Sequence, residues 1–386
     1  MRIFLSSQQA LRAHAVPAYG FWEYYFKQAL AEAGHEVLET PGIDWAEGLT
    51  QLPEDKRQQW LANTWTPTVD FIRRAHASKP IDLFLGYLFP NQIEPAAVAS
   101  IRSLGIPCVN FFCDNVREFT RVPTSYHGFD LHWVPEFEAR KLYTTAKLPF
   151  IYAPMPMWVP PKFRTISERE NVPVTFIGSH DLLREELLGD AVARGLPLRL
   201  HGAGWQSDAA NAVTNRRVNL RDKIANQMLF LHLHGVRGFL MRGTYQLRAK
   251  RSNDWIAQCC QPALYGEDYF FASRESEVLI GINRYPSFRH SFSRPGRYSR
   301  LRDIEAPMLG ACYLTEWAPG IDDLYEAGVE IETYRDAAEL VEKSARLHAD
   351  PARRKELRKR GQSRALNEHT VSRSLSRIAT QLGIRP

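Results

Sequence analysis

Six arginines precede a glutamate in the segment between residues 282 and 316. The arginines are Arg284, Arg289, Arg294, Arg297, Arg300 and Arg302. Guanidinium groups bind phosphate through paired hydrogen bonds, so a cluster of them favours a diphosphate ligand. Glu305 follows on a predicted helix, where its carboxylate could accept hydrogen bonds from both hydroxyls of a ribose. The alternative interpretation is a solvated basic loop beside an ordinary surface glutamate.

Two glycine-containing turns lie upstream of the arginines. In VTFIGSHDLLRE a strand ends at Gly178, which lets the backbone approach a ligand, and a helix start with free N–H groups follows. Arg184 lies one to two turns into that helix. In HGAGW, Gly204 could line the same site or could serve only as a turn glycine. Neither turn is the G-x-G-x-x-G fingerprint, which argues mildly against an NAD-dependent enzyme.

The elements that must position these residues alternate between strand and helix. The opening gives a strand, a helix over residues 20–33 and a second strand, and near-continuous apolar strands such as IDLFLG and PCVNFFC continue the series. Such strands are typical of a parallel sheet with helices on both faces. The proline-rich PMPMWVPP interrupts the series, which then restarts. We therefore predict an α/β chain of two doubly wound domains, residues 1–160 and 161–370.

One segment departs from the alternation, and we treat residues 206–260 as a basic helical insert. Its centre, MLFLHLHGVRGFLM, is apolar but too short to cross a bilayer, and arginines and lysines flank it. One interpretation is a pair of amphipathic helices that touches an anionic membrane or an acceptor. The other, which we favour, is that the helices pack their apolar face on the domain.

Composition and charge narrow the class of protein. A net charge of +6 over 386 residues favours anionic partners such as nucleotide diphosphates, an anionic membrane surface or nucleic acid, without deciding among them. The chain has no apolar run long enough for a membrane span, and its first residues do not follow the pattern of a secretion signal, so we expect a cytoplasmic protein. Five cysteines without a C-x-x-C pair predict neither a disulfide framework nor a zinc site.

The run R-x-x-E-A-P-M-L-G-A-C-Y-L-T-E, from Arg302 to Glu316, is similar to the C-terminal signature of the CgeB-like glycosyltransferases. Further matches follow in order: GIDDLYEAGVEIETYRDAAELVEK, RGQSRAL and a closing H-T-x-x-R. FIGSHDLLR and LIGIN match upstream of them. The resemblance covers residues 174–382 apart from much of the insert, whereas the N-terminal half shares the layout and phrases such as FCDN and FDLHWVP.

The resemblance implies a GT-B fold, in which two Rossmann-like domains face a cleft and a last helix, residues 371–386, crosses back to the N-terminal domain. It implies a nucleotide-diphosphate sugar as donor, with UDP as the expected nucleotide, bound by the C-terminal domain without a metal or other cofactor. The N-terminal domain would bind a hydroxyl acceptor. We expect a glycan or lipid-linked saccharide in surface polysaccharide assembly.

Residue by residue, the resemblance implies that Glu305 binds the ribose and that Arg302 and Arg184 contact the diphosphate. The full set assigned to the donor site is Gly178, Ser179, Arg184, Gly204, Asn283, Arg302, Glu305 and Gly310. The chain departs from related retaining enzymes, which carry two glutamates separated by seven residues. The position that would hold the first glutamate is Arg297, so the stereochemical outcome stays open.

A catalytic base is required if the reaction inverts configuration. Asp114, directly after the strand PCVNFFC, and His14, after the first strand, are the two candidates. Asp114 could equally cap the next helix, and His14 could be a surface residue. A retaining reaction needs no protein base.

Two other classes of function remain. A non-catalytic GT-B-like module could use its basic face on an anionic surface or on nucleic acid, which an enzyme of this kind is not expected to bind. A nucleotide-sugar epimerase is less favoured, because the matched motifs belong to transferases. Salt-sensitive binding of polyanions without nucleotide specificity would distinguish the binding module from the transferase.

Overall fold

A computed structural model describes residues 1–12, 19–49, 52–205, 254–287, 290–291 and 293–385. The chain divides into two compact units. Unit 1 comprises Met1–Val159 together with Ala365–Pro386, and unit 2 comprises Pro160–Arg364. Each unit is built around one six-stranded sheet.

All six strands of unit 1 run parallel, in the order β2-β1-β3-β4-β5-β6. The strands are β1 (Arg2–Ser6), β2 (Glu36–Leu38), β3 (Leu83–Tyr87), β4 (Cys108–Phe111), β5 (Leu131–Val134) and β6 (Phe150–Tyr152). The helices are α1 (Tyr19–Glu32), α2 (Glu54–Ser78), α3 (Pro95–Ser103), α4 (Asn115–Glu118), α5 (Ala139–Ala146) and, near the end of the chain, α13 (Val371–Leu382). Helix α13 packs against α1.

The central strands of unit 1 are mostly apolar, with Asn110 in β4 and His132 in β5 as buried polar residues. Every residue of β3, β4 and β5 is buried, as expected for a parallel sheet between two helical layers. The strand order reverses direction between β1 and β3, so their carboxyl ends flank the topological switch point, where ligands of such folds bind.

Unit 2 repeats the architecture in the order β14-β13-β10-β7-β8-β9, again with parallel strands. The strands are β7 (Thr175–Ile177), β8 (Arg199–His201), β9 (Cys260–Gln261), β10 (Leu279–Gly281), β13 (Tyr313–Glu316) and β14 (Glu332–Tyr334), and a separate antiparallel ribbon pairs β11 (Arg284–Tyr285) with β12 (Gly296–Arg297). The helices are α6 (Leu182–Ala193), α7 (Asp254–Ala257), α8 (Gly266–Glu275), α9 (Arg302–Met308), α10 (Ile321–Leu324), α11 (Ala337–Ala349) and α12 (Pro351–Glu368), the last of which extends into unit 1. Two doubly wound parallel sheets confirm the predicted fold class.

The second sheet has the strand order of dinucleotide-binding folds. If the six strands of this sheet are numbered by their order in the chain, their order across the sheet from β9 to β14 is 3-2-1-4-5-6. This order places the switch point between β7 and β10. The segments that follow β7 and β10 carry the arginines singled out in the sequence.

The prediction that the insert extends to Cys260 is wrong at its end. Residues 254–257 form α7, which packs against α6 and contributes Ile256 to the core, and Cys260 begins strand β9. A strand of two residues carries no periodic pattern, so the sequence did not reveal it. The rest of the predicted insert, 206–253, lies outside the described residues. Among the helices that are described, none is long and apolar enough to cross a membrane.

Candidate functional site

The loop after β7 brings Gly178, Ser179 and Arg184 together. The Arg184 guanidinium donates from Nη1 to the Ser179 backbone oxygen at 2.7 Å and to its hydroxyl at 3.2 Å. Asp181 caps α6 by accepting from the backbone N–H groups of Leu183 and Arg184, both at 3.0 Å. The cap fixes the start of the helix, so Arg184 is held over the loop instead of extending into solvent.

Gly178 is a glycine for reasons of space. A Cβ there would lie 2.8 Å from the Phe176 ring and 3.5 Å from the Arg184 guanidinium. The position therefore accommodates the arginine that follows it, while the approach of a ligand to this backbone stays a prediction.

Arg302 and Glu305 meet through a tyrosine that the sequence analysis missed. Tyr269, on α8, donates its hydroxyl to Glu305 and accepts from Arg302, whose guanidinium also lies 4.5 Å from the tyrosine ring centroid. Arg302 Nη2 donates to the Ile177 backbone oxygen at 3.2 Å, at the end of β7. Glu305 is 1% exposed, so its carboxylate is a packed part of the site and not a surface group.

Three arginines converge beside the switch point. Burial and the positive charges of Arg300 and Arg302 together lower the pKa of Arg184 to about 10. The Nε atoms of Arg184 and Arg300 are buried and make no hydrogen bond to any described residue; Arg184 Nε lies 3.1 Å from Asp181 Oδ2 but without hydrogen-bond geometry. Guanidinium groups held close together with unused donors favour the binding of an anion, because a bound anion relieves the repulsion and satisfies the donors.

Two other arginines of the same segment share one buried carboxylate. Arg284 Nη2 and Arg297 Nε each lie 2.7 Å from Glu316 Oε1, and Glu316 is fully buried. The pairing raises the pKa of Arg284 despite its burial. The sequence suggested these arginines as phosphate ligands, whereas the structure uses them to fasten the β11–β12 ribbon to the end of β13. Glu316 was missed because its partners are distant in the sequence.

Asn283 lies beneath the site and not on its surface. Its amide donates to Asp303 at 2.9 Å, to Thr315 at 3.3 Å and to the Glu316 backbone oxygen at 2.8 Å. Asp303 also accepts from Tyr313, and burial raises its pKa. This buried network holds the start of α9, from which Arg302 and Glu305 project.

In the HGAGW turn, the glycine that the packing requires most strictly is Gly202, whereas the sequence analysis had singled out Gly204. A Cβ at Gly202 would lie 2.0 Å from the Gly178 backbone oxygen, and its φ is +149°. Gly204 has a φ of +84° and its position lies near His180, where a Cβ would be 3.3 Å away. The turn therefore supports the Gly178 loop from behind, and Trp205 does the same by donating its indole N–H to the Gly178 oxygen at 2.7 Å.

Gly310 does not lie with the other residues that were predicted for the donor site. It follows α9 and precedes β13, at the amino end of that strand, whereas the arginines lie at the carboxyl edge of the sheet. Its φ is +71°, and a Cβ would lie 2.8 Å from Ile166 and 3.0 Å from Gln362. We attribute the glycine to packing.

In unit 1, Asp114 follows β4 and occupies the N-cap position of α4, but its side chain makes no capping hydrogen bond. Behind it, Glu136 is fully buried, with one oxygen 2.5 Å from the Asn115 amide and the other 3.2 Å from the Val116 N–H. Burial raises the pKa of Glu136 to about 8. The other candidate base, His14, lies outside the described residues.

Within the described part of the chain, no three His, Cys, Asp or Glu side chains are grouped as a metal site.

The profile of the Glycosyl transferase-like family matches residues 184–380, just over half of the chain. The chain therefore belongs to the Glycosyl transferase-like family. No protein with a curated description matches it.

Solved structures match the whole chain at low sequence identity. Sucrose-phosphate synthase from Thermosynechococcus elongatus aligns with 16% identity over 99% of this chain and 98% of its own, with a TM-score of 0.59. A glycosyltransferase from Rickettsia africae aligns with 11% identity over 100% and 99%, with a TM-score of 0.57. HepE from Anabaena, in complex with UDP-glucose, aligns with 13% identity over 99% of both chains, with a TM-score of 0.51. With the family match, this likeness identifies a glycosyltransferase of the GT-B fold.

Proposed function

We propose that this glycosyltransferase takes its sugar from a nucleoside-diphosphate sugar bound by unit 2, with UDP as the nucleotide. The observation that carries the proposal is the cluster of Arg184, Arg300 and Arg302 at the switch point, with two buried Nε atoms that make no hydrogen bond to a described residue. The neighbour HepE was solved with UDP-glucose, which supports the choice of UDP.

In the proposed complex the diphosphate lies against the three guanidiniums, near the amino end of α6. Their charge stabilises the leaving diphosphate as the glycosidic bond breaks, without a requirement for a divalent metal. Glu305 accepts hydrogen bonds from the ribose hydroxyls. Because Tyr269 donates to the same carboxylate, binding of the ribose requires the tyrosine to share it.

On the acceptor side, we propose that unit 1 binds a hydroxyl of a glycan or lipid-linked saccharide, in the surface polysaccharide assembly that a CgeB-like enzyme would serve. Asp114 is the proposed base if the reaction inverts configuration. We place the reaction in the cytoplasm, and contact of the basic insert (206–260) with an anionic membrane stays the alternative to its packing on the domain.

The proposal is tested by the thermal stabilisation that nucleotides produce. UDP, ADP, GDP, CDP and their glucose conjugates are added to the wild type, to Glu305→Ala and to Glu305→Gln. Glu342→Ala, an exposed glutamate on α11, is the matched control. Each shift is measured against the variant's own melting temperature, because ligand binding adds stability to whatever the unliganded fold retains.

We expect the uridine series to stabilise the wild type and the control and to lose its effect in Glu305→Ala. A folded wild type that no nucleotide stabilises contradicts the proposal. Salt-sensitive binding of polyanions in place of nucleotides would instead favour a non-catalytic binding module.

A further inference from the structure

Tyr269 lies between two side chains that the proposed donor complex uses. Its hydroxyl accepts a hydrogen bond from Nη1 of Arg302 and donates one to Oε2 of Glu305. These two outer atoms, Nη1 and Oε2, are 3.8 Å apart, which is longer than a hydrogen bond. The hydroxyl therefore bridges a cation and a carboxylate that do not bond to each other through these atoms.

Without the hydroxyl, a direct ion pair between Arg302 and Glu305 is expected. The two residues are three positions apart on α9, and side chains at this spacing are neighbours on a helix. Glu305 is 1% exposed, so little water screens the attraction between the two charges. Hydrogen bonds of charged groups are about twice as strong as neutral ones, so a donor would have to break a strong pair before it could use either group.

Unit 2 contains an example of such a direct pair. Arg284 Nη2 lies 2.7 Å from Glu316 Oε1, and this contact fastens the β11–β12 ribbon to β13. The two charges bind each other, which suits a structural role but leaves less of either group for a ligand. Arg302 and Glu305 differ because the Tyr269 hydroxyl is placed between them.

The helix that carries Tyr269 is anchored, so its side chain is held in place. Phe270, the next residue of α8, is buried and packs on Phe163 with the ring centroids 5.1 Å apart. The Tyr269 ring lies 4.5 Å from the Arg302 guanidinium carbon, a distance at which a cation and an aromatic face attract each other. The tyrosine therefore fixes the arginine through both its ring and its hydroxyl.

We propose that Tyr269 is a positioning residue for the donor. It keeps Arg302 and Glu305 apart, so that the guanidinium stays available to the diphosphate and the carboxylate to the ribose. A ribose hydroxyl can share the carboxylate with a neutral phenol at a lower cost than it could displace a guanidinium. The inference rests on the proposed function, because it assigns Tyr269 a role in that same donor site.

The test compares the wild type with Tyr269→Phe, which keeps the ring beside the guanidinium and removes only the hydroxyl. Tyr265→Phe is the matched control, because Tyr265 is 75% exposed and directly precedes the same helix. Titration calorimetry measures Kd for uridine, UDP and the 2′-deoxy form of UDP. The ratio of Kd for uridine to Kd for UDP reports the phosphate contacts, and the ratio of Kd for the deoxy form to Kd for UDP reports the ribose contact.

We expect Tyr269→Phe to keep its melting temperature within a few degrees of the wild type, because a direct ion pair replaces the two lost hydrogen bonds. Kd for UDP should rise about 10- to 150-fold, which corresponds to one hydrogen bond of a charged group, and both ratios should fall. The control should match the wild type.

The double variant Tyr269→Phe/Glu305→Gln separates positioning from packing. Arg302 can no longer form an ion pair with residue 305, so the phosphate ratio should return to its wild-type value while the ribose ratio stays low. A tyrosine that served only to pack the helix would not give this recovery, because the double variant lacks the same hydroxyl.

Three results would overturn the positioning role: unchanged UDP affinity in Tyr269→Phe, a Tyr269→Phe variant that does not fold, or a phosphate ratio that the second substitution does not restore. In each of these cases, UDP binding by the wild type leaves the donor proposal standing. A wild type that does not bind UDP would refute the donor proposal itself, and the role of Tyr269 with it.

Discussion

Replacing Arg302 by glutamine should weaken the binding of UDP without weakening the binding of uridine. The substitution removes one of three guanidiniums at the proposed diphosphate position and keeps a side chain that can still donate to the Ile177 oxygen. A hydrogen bond to a charged group contributes about 1.5 to 3 kcal/mol. We therefore expect Kd for UDP to rise about 10- to 150-fold.

Calorimetric titration of uridine, UMP and UDP separates the phosphate contribution from that of the base and ribose. The loss should grow along this series, and the remaining affinity for UDP should depend less on salt because one charge contact is gone. Arg294→Gln is the matched control, since Arg294 is an exposed arginine of the same segment without a side-chain partner among the described residues. Equal losses for uridine and UDP, or an unchanged affinity for UDP, would refute the assignment of Arg302 to the diphosphate.

Three further outcomes follow from features of the fold. Gly202→Ala should abolish UDP binding and lower thermal stability more than Gly195→Ala does. Both glycines have a positive φ, which costs a residue with a side chain about 1 to 2 kcal/mol. Only at Gly202 would the new Cβ also collide with backbone, at 2.0 Å, because a Cβ at Gly195 would face open space. Burial lowers the pKa of His132 to about 4, so the unfolded chain binds a proton at this histidine more readily than the folded chain does. The contribution of His132 to the free energy of unfolding should be complete above pH 6.5 and should fall by up to about 3 kcal/mol toward pH 4. Urea unfolding at pH 7.5 and pH 5 should show a weaker dependence of stability on pH for His132→Phe than for the wild type. Finally, EDTA should change neither UDP binding nor turnover, because guanidiniums supply the positive charge, and loss of activity that Mg²⁺ restores would contradict this.

The alternation of apolar strands and helices allowed both sheets to be predicted from the sequence. Periodicity and glycine stops are local signals, and tertiary packing agrees with them in β1, β3 and β4. The strands that were missed are short: β9 has two residues, and its place in the sheet depends on pairing with β8.

The proposed donor site could be predicted from the sequence only in part. The turn at Gly178 and the arginines are visible as residue types, but their partners are not. Tyr269 precedes Glu305 by 36 residues on a helix that the sequence analysis did not identify. For the same reason the sequence could not separate Arg284, which a buried carboxylate neutralises, from Arg300, whose Nε has no partner among the described residues.

Glu316 ties together three positions that cannot change independently. It is fully buried, and Arg284 and Arg297 reach it from both strands of the β11–β12 ribbon. Loss of the glutamate would leave two cations without their shared partner, at a cost of about 3 to 5 kcal/mol, whereas loss of either arginine would remove one of the hydrogen-bond donors that satisfy the buried carboxylate. Replacement of Glu316, Arg284 and Arg297 together by apolar side chains would remove the cost of an unpaired buried charge. A triple substitution should therefore destabilise the fold less than a single substitution at one of these positions. The anchored ribbon also leads directly into the segment that carries Arg300 and Arg302, so this segment is already ordered when the protein folds. The entropic cost of ordering the segment therefore does not reduce the affinity for the proposed donor.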